Sequence, residues 1–99
     1  MKHTCHAVEC KRAVPPTMLM CGPHWGIVPA ALRIPVLRTY RRGQCDDKRP
    51  SNAWQAAAAR VIAFVARSEG REAQAMHYDR MAARADARSS SASSEGTPQ

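Results

Sequence analysis

Residues 5–25 read CHAVECKRAVPPTMLMCGPHW, three cysteines and two histidines in one short stretch. As a spacing this is C-x4-C-x10-C-x2-H, with Cys5, Cys10, Cys21 and His24 as its fixed points. Structural zinc takes four soft or borderline ligands in a tetrahedron, commonly four cysteines, or three cysteines and a histidine. The two residues between Cys21 and His24 let both side chains reach one ion without straining the backbone. Pro23 suits the first turn of a helix, where a missing N–H costs nothing. The pair therefore straddles a helix start, and the positive end of the helix dipole favours a thiolate there. Cys5 and Cys10 supply the second pair from a loop. Pro15 and Pro16 stiffen the path between the pairs and lower its closure entropy.

Other uses of these residues fit less well. A disulfide with a spare thiol needs an oxidising compartment, and buried unbound cysteines would leave the spacing without a purpose. His3 and His6 read as solvent-facing alternatives to Cys5, Cys45 as a spare thiol, and His77 as an ordinary surface histidine. Four endogenous ligands close a zinc site, whereas catalytic zinc keeps a position open. Glu9 is the one carboxylate in this segment. The chain has no H-E-x-x-H, no H-x-E with P-C-x-x-C and no Gly-rich phosphate loop. The expected zinc is structural, with no enzymatic activity and no small-molecule substrate.

A staple suits this chain. It has 99 residues with one Phe, two Trp and two Tyr, and alanine supplies much of the apolar content, so its core must be thin. No secretory leader is recognisable in residues 1–30, and no apolar run approaches the roughly 20 residues of a membrane span. The expected setting is the cytoplasm, with no membrane partner.

Working outward, Pro23 opens a short helix that Gly26 and Pro29 soon limit. A second helix is expected from Pro29 to about Arg42, capped by Gly43, with Leu32, Val36 and Tyr40 as its stripe and Leu37 flanking it. Pro35 should kink or restart it. Ser51 or Asn52 then caps the strongest helix, AWQAAAARVIAFVARSE (residues 53–69), with Trp54, Ala58, Val61, Ile62 and Val65 on one apolar face. Beyond Gly70, residues 70–88 read as a frayed, weakly docked helix and the Ser-rich 89–99 as a disordered tail. TMLM (17–20) is the one stretch that suits a strand. The expected fold is mainly α: a zinc-stapled helical domain over residues 1–69, with an irregular Cys/His-rich N-terminal knuckle followed by two to three helices.

Residues 1–67 carry eleven Lys or Arg against Glu9, Asp46 and Asp47, a net +8, while residues 68–99 carry four Arg against five acids. Arg33, Arg38, Arg41, Arg42, Lys48 and Arg49 surround the middle helix and its exit. On a continuous helix Arg38 shares a face with Arg41 and Arg42 and can track a phosphate backbone. Nucleic acid is the leading expected partner, and an acidic protein surface is the alternative.

The elements CHAVEC, VPPTMLMCGPHW, VPAAL, TYRRGQ and KRPS, with the alanine-rich helix after them, resemble a group of small zinc-finger-like proteins of proteobacteria and their phages and prophages. The resemblance spans about residues 3–67, and the VPP…LMC..HW element is its most distinctive part. It implies Cys5, Cys10, Cys21 and His24 at the recurring Cys and His positions, and a bacterial cytoplasm with a mobile-element origin. It implies no biochemical activity. Pro35 and Cys45 depart from the pattern. A pair from a loop and a pair from a helix start is also similar to a treble-clef finger, with a shorter segment between the pairs.

Overall fold

The computed structural model describes residues 4–15, 18–40 and 51–95, with side chains to residue 88. Among the described residues four helices follow one another: α1 (Gly22–Ile27), α2 (Ala30–Thr39), α3 (Asn52–Ser68) and α4 (Glu72–Glu95). Among the described residues there is no strand. Residues 18–20 of TMLM are not in one, Thr17 lies outside the described residues, and the sole extended pairing among the described residues is an antiparallel bridge between Thr4 and Ala13. The expectation of a mainly α domain with an irregular Cys/His-rich start holds.

The third helix, α3, is the axis of the domain. Ser51 caps it, its hydroxyl accepting from the Trp54 N–H at 3.1 Å. Nine of its residues between Ala56 and Ala66 are buried, more than one apolar stripe allows. One side carries Ala57, Ala58, Val61, Ile62 and Val65, and packs with Val36 of α2 and with Cys5, Ala7, Leu19, Met20 and Cys21 of the N-terminal segment. Another side carries Ala63 and Ala66, which pack on Ala75 of α4.

That second side corrects the expected weak docking of residues 70–88. Ala75, Ala82 and Ala85 of α4 are all buried. Polar pairs fix an antiparallel register: Arg67 with Asp79, Arg60 with Asp86, and Asn52 with Arg88. Alanine's small side chain lets two helix backbones approach closely, so a sparse stripe is enough. The helix also runs to Glu95, past the start of the serine-rich stretch.

The reversal between α3 and α4 depends on Gly70, whose φ of 78° lies in the left-handed region. The Gly70 N–H bonds the Arg67 carbonyl at 3.1 Å, and the Arg71 N–H bonds the Ala66 carbonyl at 2.8 Å, the paired bonds of a Schellman ending. A Cβ there would meet nothing within 4 Å. Gly70→Ala should therefore cost only the conformational strain, about 1 kcal/mol, read as a lowered midpoint in urea with an unchanged m-value.

The second helix differs from expectation at both ends. Pro29 is its N-cap, in extended conformation, and the helix passes through Pro35 without a restart. Pro35 cannot donate to the Ala31 carbonyl, but the Thr39 hydroxyl donates to the Pro35 carbonyl at 2.6 Å. The helix then stops, because Tyr40 is extended with ψ 124° rather than continuing to Arg42. The expected face shared by Arg38, Arg41 and Arg42 extends beyond the described residues. Arg41, Arg42, Gly43, Cys45, Lys48 and Arg49 lie outside the described residues. Leu32 is partly buried and Val36 fully, while Leu37 and Tyr40 are exposed.

Candidate metal centre

The four residues singled out by spacing meet in space. One ligand atom from each of Cys5, Cys10, Cys21 and His24 lies within 4.8 Å of all the others. The His24 Nδ1 is 3.2 Å from the Cys21 Sγ and 3.5 Å from the Cys5 Sγ. In a tetrahedron with metal–sulfur bonds near 2.3 Å and metal–nitrogen bonds near 2.05 Å, the nitrogen–sulfur edge is about 3.6 Å. The cluster has the size of one coordination sphere and can hold a metal ion.

Local structure explains how each ligand arrives. Thr4 and Ala13 close the first loop, with the Cys5 N–H on the Arg12 carbonyl at 2.9 Å. Inside that loop the Cys10 N–H bonds the Ala7 carbonyl at 3.0 Å, a tight turn with Glu9 at φ 62°. The turn folds a four-residue spacer back so that both sulfurs face one point. The His6 N–H bonds the Leu19 carbonyl at 3.0 Å and ties this loop to the strand of chain leading into Cys21. Cys21 caps α1, and its carbonyl accepts the Trp25 N–H at 2.9 Å, so His24 stands one turn along on the same side.

Backbone N–H groups converge on the sulfurs, as they do around metal thiolates. The Ala7 N–H points at the Cys5 Sγ at 3.5 Å. Burial dominates at Cys5 and pushes its thiol up to about 11, against the backbone bonds from Cys21 and Ala7. At Cys21 burial also raises the pKa, but it is outweighed by the His24 N–H, the Cys5 thiol and the His24 ring, and the thiol falls to about 7.

A residue that the spacing did not reveal completes the centre. The His24 Nε2 is 2.9 Å from a Glu69 carboxylate oxygen. The Glu69 hydrogen bond, ahead of the Cys21 thiolate, raises the His24 pKa. It also fixes the ring's orientation: with Nε2–H donated to Glu69, the Nδ1 lone pair faces the sulfurs. Carboxylates in this position orient metal-bound histidines and raise their basicity. Glu69 ends α3, where the negative end of the helix dipole disfavours a carboxylate. That local conflict was the available signal. Arg71 follows Gly70, with its Nε 3.7 Å from Glu69 and its Nη1 2.9 Å from Glu9 in the Cys5–Cys10 loop. A chain of charges thus runs from the loop through Arg71 and Glu69 to His24, fastening the end of α3 to the cluster.

Removing the carboxylate should weaken metal binding about 10- to 100-fold. Competition against a chromophoric chelator reads this for Glu69→Ala, and Glu69→Gln, which keeps an acceptor, should lose less.

The remaining candidates fall elsewhere. His6 is exposed, and its side chain lines a shallow hollow with Glu9, Gln74 and His77. His77 sits edge-on to Tyr78 with ring centroids 5.1 Å apart. His3 lies outside the described residues. Arg33 is partly buried and Arg38 exposed. Trp25 packs against the core cluster that includes Cys5 and Cys21. No helix is long and apolar enough to cross a membrane among the described residues. Compared with protein-family models, curated proteins and solved structures, the chain gives no match.

Proposed function

We propose that this chain is a non-enzymatic binding protein, stapled by one structural zinc on Cys5, Cys10, Cys21 and His24, that engages a partner through the side presented by α2. Zinc is the reading that a three-thiolate, one-imidazole tetrahedron supports best. Four protein ligands fill its coordination sphere, which argues against chemistry at the metal. Glu9, the nearest acid in the sequence, is engaged with Arg71.

The observation that carries the location is that α2 sets cations without a carboxylate partner beside Leu37, the most exposed large apolar side chain among the described residues. Among the described residues from Glu9 to Asp86, every carboxylate has a cationic partner: Glu9 with Arg71, Glu69 with His24, Glu72 and Asp79 with Arg67, and Asp86 with Arg60. Arg33 and Arg38 of α2 have no such partner among the described residues. They stand beside Ile34 and Leu37, which are 46% and 67% exposed. Aliphatic side chains left exposed next to unmatched cations suit a protein partner with apolar and acidic groups better than a phosphate backbone.

Nucleic acid is the second reading, carried by the same two arginines and by the +8 of residues 1–67. Salt separates the two. Phosphate contacts release counterions, so log K falls with log salt by about 0.9 per phosphate neutralised on duplex DNA. Anisotropy of a labelled duplex between 50 and 300 mM salt should show weak binding with little effect of Arg33→Glu or Arg38→Glu. A steep slope that those substitutions flatten would transfer the function to nucleic acid. The resemblance adds a bacterial cytoplasm and a mobile-element origin to this proposal.

A further inference from the structure

Between α2, the start of α3 and the segment before Cys21 lies an apolar groove of about 310 Å³. Met18, Met20, Trp25, Val36, Leu37 and Trp54 line most of it, and Tyr40 stands at its edge. Met18 is 40% exposed, so the lining is open to solvent rather than sealed in the core. Methionine and tryptophan side chains together make adaptable, high-area contact surfaces. The Trp54 Nε1–H is buried with no acceptor among the described residues. A buried donor of this kind is costly unless something accepts from it.

We infer that this groove docks an acidic amphipathic helix of a partner protein, its apolar face in the groove and its carboxylates on Arg33 and Arg38. The inference rests on the α2-side reading above and names the partner's chemistry.

Three features of the surface select this occupant. Arg33 precedes Val36 and Leu37 by three and four residues, and Arg38 follows Ile34 by four, so cations and apolar groups share adjoining faces of α2. An incoming helix with apolar residues at i, i+3 or i+4 and i+7, flanked by Asp or Glu, matches both at once. A second copy of this chain would bring its own unmatched arginines against these, a repulsive pairing. The stretch RRGQCDDKRP (41–50) has no large apolar side chain to fill the groove itself. Single-stranded nucleic acid needs several open ring faces for stacking, whereas Trp25 and Trp54 are partly buried and Tyr40 is the one exposed ring among the residues lining the groove.

The test is selection from a displayed library of random 16-residue peptides on the full-length chain, followed by titration of the enriched peptides on tryptophan fluorescence. The enriched set should carry a negative net charge and apolar residues at helical spacing. Leu37→Glu should weaken binding at least tenfold and Arg38→Glu severalfold, with melting temperatures matching the parent chain. Enrichment of basic or unpatterned peptides that still respond to both substitutions overturns this inference and leaves the α2-side reading standing. Peptides indifferent to both substitutions, or no enrichment over a blank surface, overturn both. Displacement of the peptides by a 16-nucleotide single strand would assign the groove to nucleic acid. Self-association lost on Leu37→Glu would assign it to a second copy, and either result ends the proposal.

Discussion

Replacing Cys21 with serine is expected to abolish stoichiometric zinc binding and, with it, the folded state. Cys5 and Cys21 are not appended to the core; they belong to it, buried in one cluster with Met20, Val28, Val36, Val61 and Val65. Among the described residues of 4–28 there is one six-residue helix with no buried residue of its own, so apart from the packing of Ala7, Leu19, Met20 and Val28 the centre is what orders them. Structural zinc contributes about 10–16 kcal/mol in small finger domains, against a total stability of about 5–15 kcal/mol for ordinary domains. Losing one ligand or chelating the metal should therefore unfold the protein rather than merely lower its melting point. Native mass spectrometry should show one zinc per chain in the parent and none in Cys21→Ser. The near-ultraviolet circular dichroism of Trp25 and Trp54 should collapse on chelation. His6→Ala, outside the centre, should leave both unchanged. A folded, metal-free chain that melts at the same temperature after chelation would refute the staple.

The second large effect is expected at the alanine seam. Ala66 has no exposed surface, and neither has Ala75 across from it. Both sit on helices held in register by Arg67, whose guanidinium reaches Glu72 and Asp79 at 2.9 Å each. These ion pairs are exposed and contribute little individually, so close backbone packing carries most of the docking. Ala66→Leu inserts a branched side chain where Ala66 already packs, fully buried, on Ala75. Such overpacking costs about 1–3 kcal/mol. Guanidinium unfolding at constant zinc should show the loss as a lower midpoint. Arg84→Leu, on the exposed side of α4, should change it by less than about 0.5 kcal/mol.

The cluster of Cys5, Cys10, Cys21 and His24 that can hold a metal was legible in the order of residues. Cysteine and histidine at C-x4-C-x10-C-x2-H are chemically distinctive, and a two-residue spacer at a helix start leaves few geometries. Pro50 and the alanine run narrowed the cap of α3 to Ser51 or Asn52, and Ser51 takes it. Glu69 was not legible as part of the centre, because its partner is 45 residues away. Its unfavourable place at a helix C-terminus makes sense only once His24 is seen opposite. The docking of α4 was underestimated for a related reason: an alanine stripe carries little hydropathy, and its worth lies in how closely two backbones approach. The end of α2 was placed too late, since nothing local in LRTYRRG marks Tyr40 as the residue that turns extended.

Local chemistry thus decided which atoms can hold a metal and which segments are helical, because both follow from residue type and near-neighbour spacing. Tertiary packing decided how those parts serve one another. It sets Glu69 behind His24, buries α3 on more than one side, and leaves Arg33 and Arg38 without a carboxylate partner among the described residues. Charge pairing and surface exposure depend on distances between residues far apart in the chain, and only the folded arrangement sets those distances.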